Sequence, residues 1–386
     1  MRPIVALSFG ACGSAAALRV CDPLLPRFAA EYGVGLGAAA ETVTAFAIGY
    51  GALQLVYGPI GDRYGKYRVI IIATLASALT SLACALAPTF GALVIARMLA
   101  GATAGALIPL SIAWIGDGVP YERRQPVLAR FLVGQMIGIS LGQLLGGLGA
   151  DHFGAPPVFL ALGAWFGATA WLMWRFAPAR ADAASSGTVA GSILTRFVSV
   201  LKLRWARVVL ASVFLEGVLL FGALAFIPTH LHRAYDLSLT AAGSMVMLYG
   251  VGGLVFAALS RVMVRRLGEA GLAAAGAILI VLCFATIALG NAVLMATLAC
   301  LGAGLGFYML HNTLQVNATQ MAPAHRGSSM ALFAACLFLG QSTGVTLAGH
   351  GAERFGTGPV IFGAGLVLLV LGLLFAAARR RHDRLA

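Results

Sequence analysis

The sequence predicts an all-α polytopic membrane protein with twelve transmembrane helices in two pseudo-symmetric six-helix bundles. Three observations carry that prediction. Sixty per cent of the 386 residues are hydrophobic and only 10% are charged, more apolar surface than a soluble chain of this length can hide. The apolar residues gather into continuous runs of roughly 20, the length that crosses the hydrocarbon core as a helix, and not into the ten-residue alternations of a barrel. The chain also repeats itself at a fixed offset.

Taken in order, the runs fall near 4–28, 41–61, 69–87, 91–115, 127–149 and 158–177, then 207–231, 240–260, 271–289, 293–317, 328–349 and 359–378. The first extends far beyond the apolar core of a signal peptide, so no cleaved leader is expected. Between the sixth and seventh runs lies PARADAASSGTVAGSILTRFVSVLKLRWAR. It is small and polar at first, then basic and amphipathic, and reads as a linker over 178–206 with one surface helix. The expected organisation is a bundle over 1–177, this linker, and a bundle over 207–386 with a short basic tail.

The halves correspond at an offset of about 202 residues. Pro26 matches Pro228, Gly138 and Gly142 match Gly340 and Gly344, and Gly147 and Gly149 match Gly349 and Gly351. Asp151-His152-Phe153-Gly154 matches Glu353-Arg354-Phe355-Gly356, and Arg63-Tyr64-Gly65 is echoed by Arg266-Leu267-Gly268. Duplicated halves set a binding site between them, near the bilayer midplane.

A pI near 10 raises the question of nucleic acid, and the positions of the cations answer it. Of 26 Lys and Arg, 21 fall on the side of the termini, three (Arg27, Arg233, Arg354) on the other, and Arg19 and Arg97 inside helices. That is the positive-inside bias. It puts both termini in the cytoplasm and needs no nucleic-acid partner. Arg379, Arg380 and Arg381 read as a helix-end anchor at the anionic leaflet. The six cysteines all fall in predicted helices, where packing explains them better than disulfides.

The loop after the second run reads Gly58-Pro59-Ile60-Gly61-Asp62-Arg63-Tyr64-Gly65-Lys66-Tyr67-Arg68. Its cations alone would describe an orienting loop, but Asp62 between glycines asks for more. Here the sequence resembles the major facilitator superfamily, whose signature at this place is G-x-L-A-D-R-x-G-R-K. Gly58, Asp62, Arg63 and Gly65 match, and Ile60, Gly61 and Lys66 depart mildly. The resemblance implies a cytoplasmic latch that stabilises the outward-facing state. The second-half copy, Arg261 to Glu269, carries Arg265 where the Asp belongs, so its latch is degraded.

Helix 5 carries Gly134, Gly138, Gly142 and Gly146 at intervals of four, and then Gly147. The interval makes one smooth face for close packing. The family's antiporter signature in this helix, G-x8-G-x3-G-P-x2-G-G, fits Gly138, Gly142, Gly146 and Gly147, with Ala129 for the first Gly and Gln143 for the Pro. That match favours export. The Gly-x-Ser-x-Gly strings around Ser140 and Ser342 lie inside apolar helices and are not hydrolase elbows. Walker and His-Glu-x-x-His motifs are absent, so no enzyme, metal or cofactor is implied.

Ionisable groups within the membrane are functional candidates by default. Asp22 and Arg97 sit at similar depths in helices 1 and 4, about 9–10 Å below the outer surface at ~1.5 Å per residue, which predicts a pair, with Arg19 one turn away. Arg97 also fits the family's L-x3-R-x2-Q-G pattern, with Ala100-Gly101 in place of Gln-Gly. Glu216 lies mid-helix, and its equivalent in the first half is Ser14. A carboxyl buried without a counter-ion favours its neutral form, as a proton carrier requires. Glu216 is the first candidate for that role and Asp22 the second, against the plainer reading of Glu216 as a substrate ligand that never cycles. Gln54, Gln135, His311, Asn312 and Gln315 are candidates to line a polar cavity, although His311 alone is more simply a packing residue.

The expected function is proton-coupled efflux of a small organic molecule by alternating access, in a bacterial inner membrane, by a monomer. Two other readings stand beside it. One is an importer or facilitator of a sugar or small organic anion, with Arg19 and Arg97 as ligands. The other is a non-transporting receptor or scaffold.

Overall fold

The computed structural model describes residues 2–178 and 193–385, and every regular element among them is helical. The first apolar run is broken, not one helix: α1 (Arg2–Arg19) stops midway and α2 (Leu25–Tyr32) resumes. Pro23 and Pro26 remove backbone donors from this stretch. Turn bonds from Asp22 N to Arg19 O (3.2 Å) and from Leu24 N to Cys21 O (3.0 Å) take over.

A single turn, α3 (Leu36–Ala39), leads into α4 (Glu41–Tyr64), followed by α5 (Lys66–Ala85). Next come α6 (Phe90–Ala104) and α7 (Leu107–Gly118), offset at Gly105. α8 (Tyr121–Leu148) ends in a π turn over Gly149–Phe153, and α9 (Ala155–Arg175) follows. Of the expected linker, residues 179–192 lie outside the described ones. Its later part forms α10 (Ile193–Lys202), and α11 (Arg204–Glu216) starts three residues earlier than the sequence suggests. A π turn over Gly217–Phe221, α12 (Gly222–Leu224) and α13 (Ile227–Tyr235) complete that crossing. α14 (Leu239–Leu289), α15 (Val293–Gln320), α16 (Arg326–Phe355) and α17 (Thr357–Leu385) finish the chain.

The spans expected over 240–260 and 271–289, with a loop between, are instead the two arms of α14. Only Gly268 (φ 64°, ψ 175°) leaves helical geometry. Gly65, its match in the first half, holds φ 89° between α4 and α5. A side chain would strain the backbone at either position, which is why both hairpins turn on glycine. Ten helical segments among the described residues are long and apolar enough to cross a membrane. One of them is α14, whose 51 residues amount to about 75 Å of helix, twice the need of one crossing.

Buried apolar residues form two main cores. One, around Phe28, Phe46, Tyr67, Phe131 and Phe159, draws mainly on the helices up to α9 and takes in Phe226, Leu239 and Val345 from beyond them. The other, around Val209, Leu220, Tyr249, Phe284 and Phe307, draws mainly on those from α10 onward, with Ala15 and Ile139 from the earlier helices. Backbone-to-backbone approaches tie each core together. A Cβ at Gly138 or Gly142 would strike the carbonyl oxygen of Cys12 or Ala16 in α1. A Cβ at Gly340 or Gly344 would strike that of Phe214 or Val218, each 202 residues further on. Gly101 against Phe46 and Gly304 against Tyr249 repeat the pattern. The four-residue interval of the α8 glycines is thus matched by the carbonyls of Ser8, Cys12, Ala16 and Val20.

Two faces follow from the side-chain contacts. Arg2 over Phe176 (5.6 Å), Tyr67 Oη donating to Met173 O (3.1 Å) and Lys66 bound to Asp117 mark the face that carries the N-terminus. Arg379 on Glu269 (2.9 Å) and Trp205 stacked on His382 (4.3 Å) mark its counterpart at the C-terminal end. The far face carries Gly154, Gly356 and the starts of α3 and α14.

Candidate functional site

The break in the first apolar run sets the candidate site. Ending α1 at Arg19 and turning through residues 20–24 brings Arg19 and Asp22 side by side, Nη1 to Oδ2 3.6 Å, both buried. Gln143 of α8 donates from Nε2 to the same Oδ2 at 2.9 Å. Gln143 therefore supplies an amide donor where the helix-5 signature has a proline. The close approach of the α8 glycines to α1 brings it within reach.

Arg97 makes no ion pair with Asp22, the pairing its depth suggested. Its Nε donates to Thr42 O (3.1 Å) and its Nη2 to Ala17 O (3.0 Å), and its guanidinium lies over the Phe46 ring at 4.2 Å. A planar cation with diverging donors satisfies the Ala17 carbonyl that the end of α1 leaves open and adds a second bond to the Thr42 carbonyl in the first turn of α4. Depth alone cannot distinguish this from an ion pair, because it does not fix which way a side chain points around its helix.

Glu216 is not isolated. Its Oε2 meets His311 Nδ1 of α15 at 2.8 Å, and its Oε1 is buried with no hydrogen-bond partner. The π turn begins at the next residue, a local geometry often found at functional positions. The first-half equivalent, Ser14, donates to Ala104 O (3.0 Å) and ties α1 to α6. His311 is stacked on Phe307 (4.8 Å, 22°) and faces Phe333.

Rings connect the two charged groups across the seam between the cores. The Arg19 guanidinium lies over Phe221 at 4.3 Å, Phe221 packs on Phe307 at 5.4 Å, and Phe307 packs on His311. The buried Tyr249 ring packs on Phe307 at 5.6 Å, beside this path. Several polar atoms here are buried without a hydrogen bond: Arg19 Nε and Nη1 (the latter ion-paired with Asp22), Asp22 Oδ1, Gln143 Oε1, Glu216 Oε1 and Tyr249 Oη. Buried polar atoms are normally bonded. A cluster that keeps donors and acceptors unspent can take up a proton or a polar ligand at modest structural cost.

The remaining candidates separate. Gln54 is buried and donates to Gly105 O (3.0 Å), bracing α4 on the bend between α6 and α7. Gln135 and Asn312 are half-buried and Gln315 is exposed. At the loop after α4, Lys66 binds Asp62 (2.9 Å) and also Asp117 at the end of α7 (2.7 Å). Gly58 has open space where a side chain would lie, and Gly61 packs on Leu110. Gly146 faces Val20, whereas Gly147 faces Leu239, across the seam. Arg63 lies over its neighbour Tyr64 (5.2 Å). Ser140 Oγ donates to Met247 O across the seam (3.0 Å), and Ser342 Oγ donates to Leu339 O in its own helix (2.8 Å).

Sequence reasoning missed Tyr249, Asp117 and Gln341, whose amide is buried with neither atom bonded. A polar residue inside the apolar run of α16 was the available signal for Gln341. Nothing in the sequence marked Tyr249.

A model of the Major Facilitator Superfamily matches residues 7–345. An uncharacterised MFS-type transporter of Bacillus subtilis, YceJ, is 24% identical over 365 residues, covering 91% of this chain and 90% of its own. The multidrug resistance efflux pump PmrA of Streptococcus pneumoniae is 30% identical over 159 residues, 40% of each chain. Among solved structures, a mutant of the peptide transporter POT superposes with a TM-score of 0.80 at 16% identity, covering 99% of this chain and 95% of that one.

Proposed function

Because the chain belongs to the Major Facilitator Superfamily and is a membrane transporter, we propose that it is a monomeric, proton-coupled exporter of a small organic molecule. In this reading the chain makes twelve crossings, as one six-helix bundle over 1–177 and another over 207–386, joined by the linker 178–206. Both termini lie in the cytoplasm of a bacterium, and the bundles rock about the seam to expose the site to one side at a time.

One observation carries the proposal: the buried Glu216–His311 pair. It sits in the second bundle, at the end of the ring contacts that start from Arg19 in the first. Glu216 Oε1 takes the transported proton, and His311 Nδ1 holds the other oxygen in place. When substrate enters between the bundles, rearrangement at Phe221 and Phe307 moves His311 and changes how firmly Glu216 keeps its proton. Asp22, held by Arg19 and Gln143, is the second carboxyl and fixes the break in the first crossing. Arg97 holds the first bundle together and stays out of the cycle.

The test is proton flux in everted vesicles challenged with a panel of cationic, neutral and anionic compounds. Compound-dependent proton release that Glu216→Gln abolishes, in protein that still inserts and folds, is the expected result. If Glu216→Gln leaves the release unchanged, the role passes to Asp22. Uptake in place of release would overturn export.

A further inference from the structure

Two carboxylates on the far face contact the opposite half, and neither belongs to the site above. Asp151, in the π turn after α8, accepts from Leu239 N through Oδ1 (3.1 Å) and from Thr240 N through Oδ2 (2.6 Å), the first two amides of α14. Glu353, near the end of α16, accepts from Gly37 N through Oε1 (2.8 Å), at the turn that starts the α4 crossing. Asp151 and Glu353 are 202 residues apart, and so are Gly37 and Leu239. The first half reaches the second by the same contact that the second uses to reach the first.

The surroundings repeat as well. One turn before Asp151, a Cβ at Gly147 would lie 2.6 Å from Leu239 O; one turn before Glu353, a Cβ at Gly349 would lie 2.9 Å from Gly37 Cα. Thr240 Oγ1 adds a bond to Gly147 O (3.1 Å). Each carboxylate satisfies amides that a helix start leaves open, and its charge suits the positive end of the helix. Because the partners belong to opposite halves, the bonds exist only while the halves meet on this face. On the other face, Asp62 is bonded to Lys66 of its own half.

We infer that Asp151 and Glu353 form a paired latch that holds the outer gate shut, and that opening to the outside requires both to release their amides together. The assignment rests on the transporter reading above, which makes the far face the outer one. It supplies an outer counterpart to the loop at Asp62. The outer latch is doubled, with one copy in each half, whereas the second-half copy of the Asp62 loop has lost its acid.

The experiment is a spin-label distance between Glu31→Cys and Arg233→Cys, exposed far-face positions in the two halves, on full-length protein in lipid nanodiscs without substrate. The parent should give mainly the short distance. Asp151→Asn and Glu353→Gln should each move the ratio of long to short about tenfold, the worth of a charge-assisted bond, and the double variant further than either. Leu239→Pro removes one donor while leaving the carboxylate intact. Ser238 (φ −60°, ψ 154°) already has the conformation that precedes a proline, so this variant should shift the ratio the same way. Unchanged distances in all of these, with the proteins still monodisperse and melting cooperatively, would overturn the latch. The measurement uses neither substrate nor proton gradient. A latch that fails here leaves proton-coupled export untouched, and a failure of vesicle flux leaves a positive distance result standing.

Discussion

Adding one methyl group at Gly138 should cost the protein more than most changes to its charged residues. The new Cβ would run into the backbone carbonyl oxygen of Cys12, closer than any real Cβ sits, with Cys12 C and Cα also only 2.8 Å away. Backbone inside a helix cannot swing aside as a side chain can. α8 and α1 must therefore part by about 1 Å to regain ordinary contact distances. Overpacking of this kind costs roughly 1–3 kcal/mol, or a drop of about 3–10 °C in Tm for a half of this size. The separation also lengthens the 2.9 Å bond from Gln143 to Asp22, since the two residues sit on the helices being pushed apart. Gly340→Ala, against Phe214, should cost a similar amount, and the two losses should add because the two glycines touch different helices and share no partner. Gly167→Ala and Gly363→Ala, where an added Cβ meets nothing within 4 Å, are the controls. Thermal unfolding in detergent, followed by tryptophan fluorescence, compares the parent, the four single variants and the Gly138→Ala/Gly340→Ala double variant. If Gly138→Ala and Gly340→Ala melt with the controls, the reading of these glycines as backbone contacts is wrong.

Other substitutions test the remaining contacts. Gln143→Leu removes a bond to a buried carboxylate and should cost about 1.5–3 kcal/mol, read as a lower melting temperature together with weakened proton flux. Arg97→Lys keeps the charge but not the diverging donors of the guanidinium, so one of the bonds to Thr42 O and Ala17 O is lost at about 1.5–3 kcal/mol; a melting temperature equal to the parent's would refute that role. Lys66→Ala breaks pairs with two carboxylates that are each more than half exposed, and screening holds the loss below about 1 kcal/mol. That small loss should vanish in high salt.

The helices were legible because their signal is local: an apolar run long enough to cross, ended by glycine or charge. Two features of the fold were not. The first run looks unbroken in hydropathy, and only Pro23 and Pro26 hinted that α1 stops at Arg19. The spans on either side of Gly268 were foreseen, but not that a single residue would turn the chain between them. The candidate residues could be named from the sequence, but the contacts they make could not. Glu216 and His311 were both singled out, yet they are 95 positions apart, and nothing in either helix says that they face one another. The same blindness to helix rotation suggested Arg97 for Asp22, where the partners are Arg19 and Gln143. Asp151 and Glu353 were noticed as a matched pair, but the amides they bind belong to the opposite half and give no sequence signal.

Gly268 has a consequence for how the protein responds to its bilayer. The first arm of α14 lies on the seam, where Leu239 packs on Gly147 and Met247 O accepts from Ser140. The second arm turns Ile278, Leu282 and Leu289 outward, all well exposed, toward the acyl chains. One residue joins the arms, so they have almost no slack to slide past each other. A membrane thinner or thicker than the second arm tilts it, at a cost of fractions of a kcal/mol per Å, and that tilt is carried back through the turn to Leu239. Lipid thickness thereby becomes a mechanical load on the seam between the halves.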